Sequence, residues 1–140
     1  MQAKSHPAAL PQDIEWRLPH HARSVGRARR LFREQAASWG LPEEVSDTAE
    51  LLLSELTTNA YRHAKAPVGR EIRARVALGD GRLLLAVTDA GEALPRPQLP
   101  CGTAESGRGL VLVQLLADKW GAEHRACGVG KTVWCELLLG

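Results

Sequence analysis

The chain has 140 residues, 44% hydrophobic, 24% charged and 4% aromatic, with 18 Lys plus Arg against 16 Asp plus Glu for a net charge of +2. That length makes room for one domain and not a multidomain enzyme, and the ordinary balance of apolar and charged residues excludes a disordered, collagenous or membrane-spanning chain. A charge so near zero does not describe a protein that coats nucleic acid or an anionic membrane, and with so few aromatics the core has to come mainly from Leu, Val and Ala.

Residues 1–12 contain proline but no apolar run long enough for a signal peptide, so they read as a flexible N-terminal tail ahead of a domain at 13–140. Asp13-Ile14-Glu15-Trp16-Arg17-Leu18 alternates polar and apolar side chains and stops at Pro19, which predicts a short edge strand. From about His21 to Trp39, apolar residues recur in steps of three and four at Val25, Ala28, Phe32, Ala36 and Trp39. This is the pattern of an amphipathic helix, and Gly40 ends it. Leu41-Pro42-Glu43-Glu44 starts a second helix, with proline in the first turn and acids at the positive end of the dipole, running to about Ala64.

Charge divides these two helices. Arg17 to Arg33 holds six Arg, two His and no acid, whereas Glu34 to Tyr61 holds six acids and no Lys or Arg. The basic block reads either as an arm for nucleic acid or, more plainly, as a solvated helix face that partly neutralises its acidic neighbour. Direct nucleic-acid contact and membrane contact are not expected.

Ile72, Ala74, Val76 and Leu78 alternate with Arg73 and Arg75, a strand with one buried and one basic face, and Gly79-Asp80-Gly81 is a tight hairpin turn. Leu83 to Val87 is continuously apolar, as in an interior strand covered on both sides, and it ends at Thr88-Asp89. Residues 90–106 have no apolar period and predict a long functional loop. A short helix opens at Gly107-Arg108-Gly109. Two closing strands follow, at about 119–127 and 131–138, joined through Gly128-Val129-Gly130. The order is β α α β β, loop, α β β. It predicts an α+β fold, a two-layer α/β sandwich whose mixed, mostly antiparallel sheet carries its helices on one face. Trp120 and Trp134 are expected in the core. The three Cys are odd in number and lack CxxC spacing and partner histidines, which points to reduced thiols, a cytoplasmic location and no Cys-bound metal.

Several residues are suited to chemistry. At about 100° per residue, Val45, Ala49, Leu52, Leu53 and Ala60 fall within about 60° of Leu56 and form a core stripe, with His63 also inside it. Glu55 and Asn59 lie one turn apart at its border, where a carboxamide oxygen can hold hydrated Mg²⁺ beside a base, although such pairs are also common on helix surfaces. Asp89-Ala90-Gly91 puts an acid where a buried strand meets the loop, either at the mouth of a cleft or in an ordinary turn. Ser106-Gly107-Arg108-Gly109-Leu110 puts glycines at a helix N-terminus, where free N–H groups favour phosphate.

Taken in order, Ser54-Glu55-Leu56-Thr57-Thr58-Asn59-Ala60, Val87-Thr88-Asp89-Ala90-Gly91, Gly107-Arg108-Gly109-Leu110 and Gly130-Lys131-Thr132-Val133 resemble the ATP-binding fold of gyrase, histidine kinases and mismatch-repair ATPases. The resemblance is stronger still to the anti-sigma-factor serine/threonine kinases of Gram-positive bacteria, over about residues 13–139. It implies ATP and Mg²⁺ as cofactors, with Asn59 on the Mg²⁺ and Glu55 as the general base. Asp89 would take a hydrogen bond from the adenine amino group, with Thr132 supporting it through water. Gly91 would let the base approach, and Gly107, Arg108 and Gly109 would meet the phosphates beneath a lid at 92–106. The implied partners are a sigma factor and an anti-sigma-factor antagonist, and the implied assembly is a homodimer. Two departures from the family pattern stand out, Ala93 in place of a glycine and Glu105 where some relatives have arginine, so that Arg108 or Arg62 is left to meet the γ-phosphate. They leave open a nucleotide-gated binding switch without kinase activity.

Overall fold

The computed structural model describes residues 12–63, 71–89, 108–124 and 130–139, with the side chains of residues 63 and 108–110 outside the description. Residues 1–11 of the expected tail, the end of the second helix at Ala64, the loop at 90–106, the linker residues Gly128-Val129 and the packing of His63 lie outside the described residues, whereas Gln12, expected in the tail, is paired in the first strand. The elements are β1 (Gln12–Pro19), α1 (Arg23–Trp39), α2 (Glu43–His63), β2 (Glu71–Gly79), β3 (Arg82–Asp89), α3 (Arg108–Leu116), β4 (Lys119–His124) and β5 (Lys131–Leu138). The sheet order is β1-β2-β3-β5-β4. Every pairing is antiparallel, so the expected mixed sheet resolves into antiparallel neighbours throughout, with β1 at one edge as its alternation predicts.

Local chemistry explains the element ends. Gly40 closes α1 in the left-handed region at φ 69°, and the Leu41 and Gly40 N–H groups donate to the carbonyls of Ala36 and Ala37 at 3.0 and 3.1 Å, a Schellman-type stop. Asp80 and Gly81 both have positive φ, 55° and 72°, which is the type I′ turn whose twist suits the β2–β3 hairpin.

The alternation of each strand sorts its side chains between two layers. Ile72, Ala74 and Val76 of β2, Leu83, Leu85 and Val87 of β3, and Val133, Cys135 and Leu137 of β5 join Phe32 of α1 and Leu52, Leu53 and Leu56 of α2 in one buried core. Cys135 is inert there, since burial pushes its thiol up to about 12. The other face of the sheet carries a second, smaller apolar cluster of Ala77, Leu84, Ala86 and Trp134. Trp120 and Trp134 both pack in the core as expected, Trp120 partly buried against the helix-side cluster and Trp134 buried in this second one. Its indole lies over Gly121, its partner across β4 and β5, and a Cβ at Gly121 would stand 2.7 Å from Trp134 Cζ2.

The arginines of the basic block are divided between β1 and α1. Arg17 sits opposite Arg73 at the sheet edge, whereas Arg33 Nη2 and Arg29 Nε lie 2.9 and 3.5 Å from Glu50 Oε2 of α2. The charge asymmetry of the sequence therefore does in part join the two helices. The hydrogen bond from Arg33 holds the Glu50 carboxyl below its ordinary value of 4.5, with Coulombic attraction to Arg33 and Arg29 acting the same way and burial opposing them. Among the described residues no helix is long and apolar enough to cross a membrane.

Gly121→Ala should destabilise the domain by about 1–3 kcal/mol through overpacking against the indole, measured as a lower urea midpoint; an unchanged midpoint would contradict the contact. Glu50→Gln tests the helix pair. Because the folded-state pKa of Glu50 is depressed, its contribution is full above the unfolded value and is lost as pH falls through the folded one. The variant should lose about 0.5–1 kcal/mol at pH 7, and the difference should close in acid below that lowered pKa.

Candidate functional site

Two polar residues end the interior strand β3, and the sheet sends them to opposite sides. Asp89 continues the helix-facing series Leu83, Leu85, Val87, while Thr88 continues the series Leu84, Ala86 on the other face. In β5 the same alternation puts Lys131 on the helix side with Val133 and Cys135, and Thr132 on the far side with Trp134. The β3–β5 register then matches Asp89 with Lys131 and Thr88 with Thr132.

The pairing of the side chains follows this register. Lys131 Nζ donates to Asp89 Oδ1 at 2.9 Å, and both side chains are only 1% exposed. The Thr132 hydroxyl is paired at 2.7 Å with that of Thr88. Thr132, expected to support Asp89, is turned away by the strand period. The adjacent lysine, not singled out in the sequence as a site residue, is the side chain that pairs with Asp89. The signal lay in the parity of the strand: Lys131 is an even number of residues from Val133 and Cys135, and Thr132 is not. Burying two charges costs several kcal/mol per ion before pairing, so this ion pair is not there as a general source of stability.

Of the other expected residues, Glu55 and Asn59 sit on α2 and Arg108 and Gly109 on α3. α2 packs against both β3 and α3. Its stripe behaves as the 3.6-residue period requires, with Ala49, Leu52, Leu53, Leu56 and Ala60 buried and Val45 partly so. Glu55 and Asn59 border the stripe one turn apart, Glu55 half-buried and Asn59 buried to 7% exposure. Among the described residues no hydrogen bond engages the Asn59 carboxamide, which leaves its oxygen available to a ligand. Thr57, on the same turn, is satisfied locally by donating to the Leu53 carbonyl at 2.8 Å.

Arg108 and Gly109 form the first turn of α3, where backbone N–H groups without helical partners point out of the helix end. Gly91 and Gly107, and the departures at Ala93 and Glu105, lie outside the described residues. Arg62 is exposed on α2 and is engaged in an interaction of its own. Together the described parts amount to a buried acid and ammonium at a strand end, a buried carboxamide with a carboxylate one turn away, and a helix N-terminus.

Three comparisons bear on this arrangement. Residues 18–136 match the family model described as the histidine kinase-like ATPase domain. Among solved structures, the chain is similar to that of the RsbU and RsbW domains of a Mycobacterium tuberculosis protein, with a TM-score of 0.67 and 23% identity over 91% of this chain and 32% of that one. It is also similar to the histidine kinase domain of a blue-light activated histidine kinase of Erythrobacter litoralis, with a TM-score of 0.55 and 23% identity over 86% of this chain and 61% of that one. The chain thus spans about a third of the length of the first and about three fifths of the second. No curated protein matches it.

Asp89→Ala should destabilise the domain by about 3–5 kcal/mol by leaving a buried ammonium uncompensated, and Asp89→Ala with Lys131→Met should recover much of that loss. Urea unfolding of the two variants measures it. Equal stability of the single and double variants would contradict the buried pair.

Proposed function

Because the chain belongs to the histidine kinase-like ATPase domain family, we propose that it is an ATP-binding anti-sigma regulatory factor with Mg²⁺-dependent serine/threonine kinase activity toward an anti-sigma-factor antagonist. The observation that carries this reading is the ordered set of motifs placed on adjoining elements, with a buried acid closing the interior strand and a buried carboxamide on the helix packed against it.

Asp89 takes the hydrogen bond of the adenine amino group, and Gly91 lets the base approach the backbone. Asn59 holds Mg²⁺ through its amide oxygen. Phosphate and water oxygens complete the coordination of a Mg²⁺ held by one carboxamide. When bound, Mg²⁺ neutralises charge on the transferring phosphoryl group. Gly107, Arg108 and Gly109 offer the start of α3 to the phosphates. Glu55 accepts the proton of the attacking serine or threonine hydroxyl as its oxygen bonds the γ-phosphorus and ADP departs. Catalysis is then mostly positioning and electrostatic stabilisation.

In this reading the protein binds a sigma factor in its ATP state, phosphorylates a small antagonist to reset the switch, and works as a cytoplasmic homodimer. The motif resemblance supports these partners. A second reading, a nucleotide-gated binding switch without kinase activity, is favoured by Ala93 and Glu105, which depart from the kinase pattern.

Titration calorimetry with ATP should give Mg²⁺-dependent binding that Asn59→Ala largely removes; absent binding, or an unaffected variant, would overturn the proposal. With labelled ATP and a cognate antagonist, Glu55→Ala should bind nucleotide yet lose about 10²–10⁴-fold in label transfer. Wild-type binding without any transfer would select the second reading.

A further inference from the structure

The function of the buried lysine is not accounted for by stability or by the motif resemblance. Resting on Asp89 as the acceptor for the adenine amino group, the geometry points to Lys131 as a second base-reading residue, whose ammonium donates to N1 of the adenine ring.

Placement comes first. Lys131 is directly opposite Asp89 in the β3–β5 register and on the same, helix-facing side of the sheet, so a base that reaches one reaches the other. Thr132 is excluded from that edge by its position on the other face and its hydrogen bond to Thr88. Burial comes second. Lys131 is among the largest fully buried side chains of the domain, held with Nζ 2.9 Å from Asp89 Oδ1. An ammonium normally keeps its head in water. Here it is held at the end of the interior strand by the same carboxylate that would meet the base.

The chemistry of the two groups completes the argument. The ammonium has three N–H donors, of which one points to Asp89 Oδ1. Asp89 and Lys131 therefore set an acceptor and a donor side by side at the spacing of one hydrogen bond. The edge of adenine offers the complement, a 6-amino donor next to the N1 acceptor. Guanine inverts both positions, with a 6-oxo acceptor next to an N1–H donor. A site built to satisfy a particular donor–acceptor pair rejects the analogue that leaves its buried groups unpaired. Lys131 is thus a specificity-determining residue, and it takes over by direct contact the support that the motif resemblance gives to Thr132 through water.

The probe is 1-deaza-ATP, which replaces N1 by C–H and keeps the 6-amino group. Calorimetry with the wild-type chain, Lys131→Met and Lys131→Thr, each checked for folding by thermal melting, reads the ratio of ATP to 1-deaza-ATP affinity. The ratio is the readout because loss of the ammonium also removes the counter-charge of Asp89. Wild type should prefer ATP by about tenfold or more, the loss expected for one hydrogen bond to a charged donor, and both variants should bind the two nucleotides equally. A wild-type chain that binds ATP without preference over 1-deaza-ATP overturns the proposal and leaves the reading of the site intact, and this arm needs no variant to fold. A preference that survives in Lys131→Met or Lys131→Thr overturns it as well. A wild-type chain that binds neither nucleotide overturns the reading of the site and this proposal with it.

Discussion

The antiparallel register of β3 and β5 decides which side chains can meet at the end of the sheet. With Val87 opposite Val133 and Asp89 opposite Lys131, the apolar series Leu83, Leu85, Val87 and Val133, Cys135, Leu137 face the helices, and the strand end presents an acid and an ammonium to the same side. A one-residue slip in either strand would send a whole apolar set to the opposite face, so the core holds the register firmly. The same constraint places Thr88 with Thr132 and sets Trp134 over Gly121 on the far face. Site geometry and core packing are therefore two results of one pairing.

α2 works under a comparable constraint. Its buried stripe through Leu52, Leu53 and Leu56 fixes the rotation of the helix against β3, and this rotation leaves Glu55 and Asn59 at the border of the core and not in open water. Earlier on the same helix, Glu50 receives Arg29 and Arg33 of α1. One helix thus carries a hydrophobic face, an ion-paired face and a polar border, and the proposed function gives that border its use.

Much of this was legible in the sequence, for physical reasons that can be named. Alternation in residues 72–78, the apolar run Leu83 to Val87, and the stripe on α2 each impose a period that only one element type satisfies. Gly40 and Asp80-Gly81 marked their stops because those positions require positive φ. What the sequence left unread lies where period is silent. Lys131-Thr132 is a polar pair with no apolar contrast within itself, so the sequence did not show that Lys131, in parity with Val133 and Cys135, would be the one to pair with Asp89. Trp134 is in the core as its sequence position suggested, but which face it takes was not legible, because an indole in a closing strand fits either until its partner at Gly121 is known.

The central claim is that the strand end at Asp89, the α2 border and the start of α3 form one nucleotide site. Backbone amide shift mapping of the isotopically labelled protein during titration with ATP and Mg²⁺ tests it most directly. The account predicts that the largest perturbations cluster at residues 55–59, 88–89, 108–110 and 131–132. Perturbations confined to the exposed face of α1 or the β1 edge, or none at all at saturating nucleotide, would contradict it.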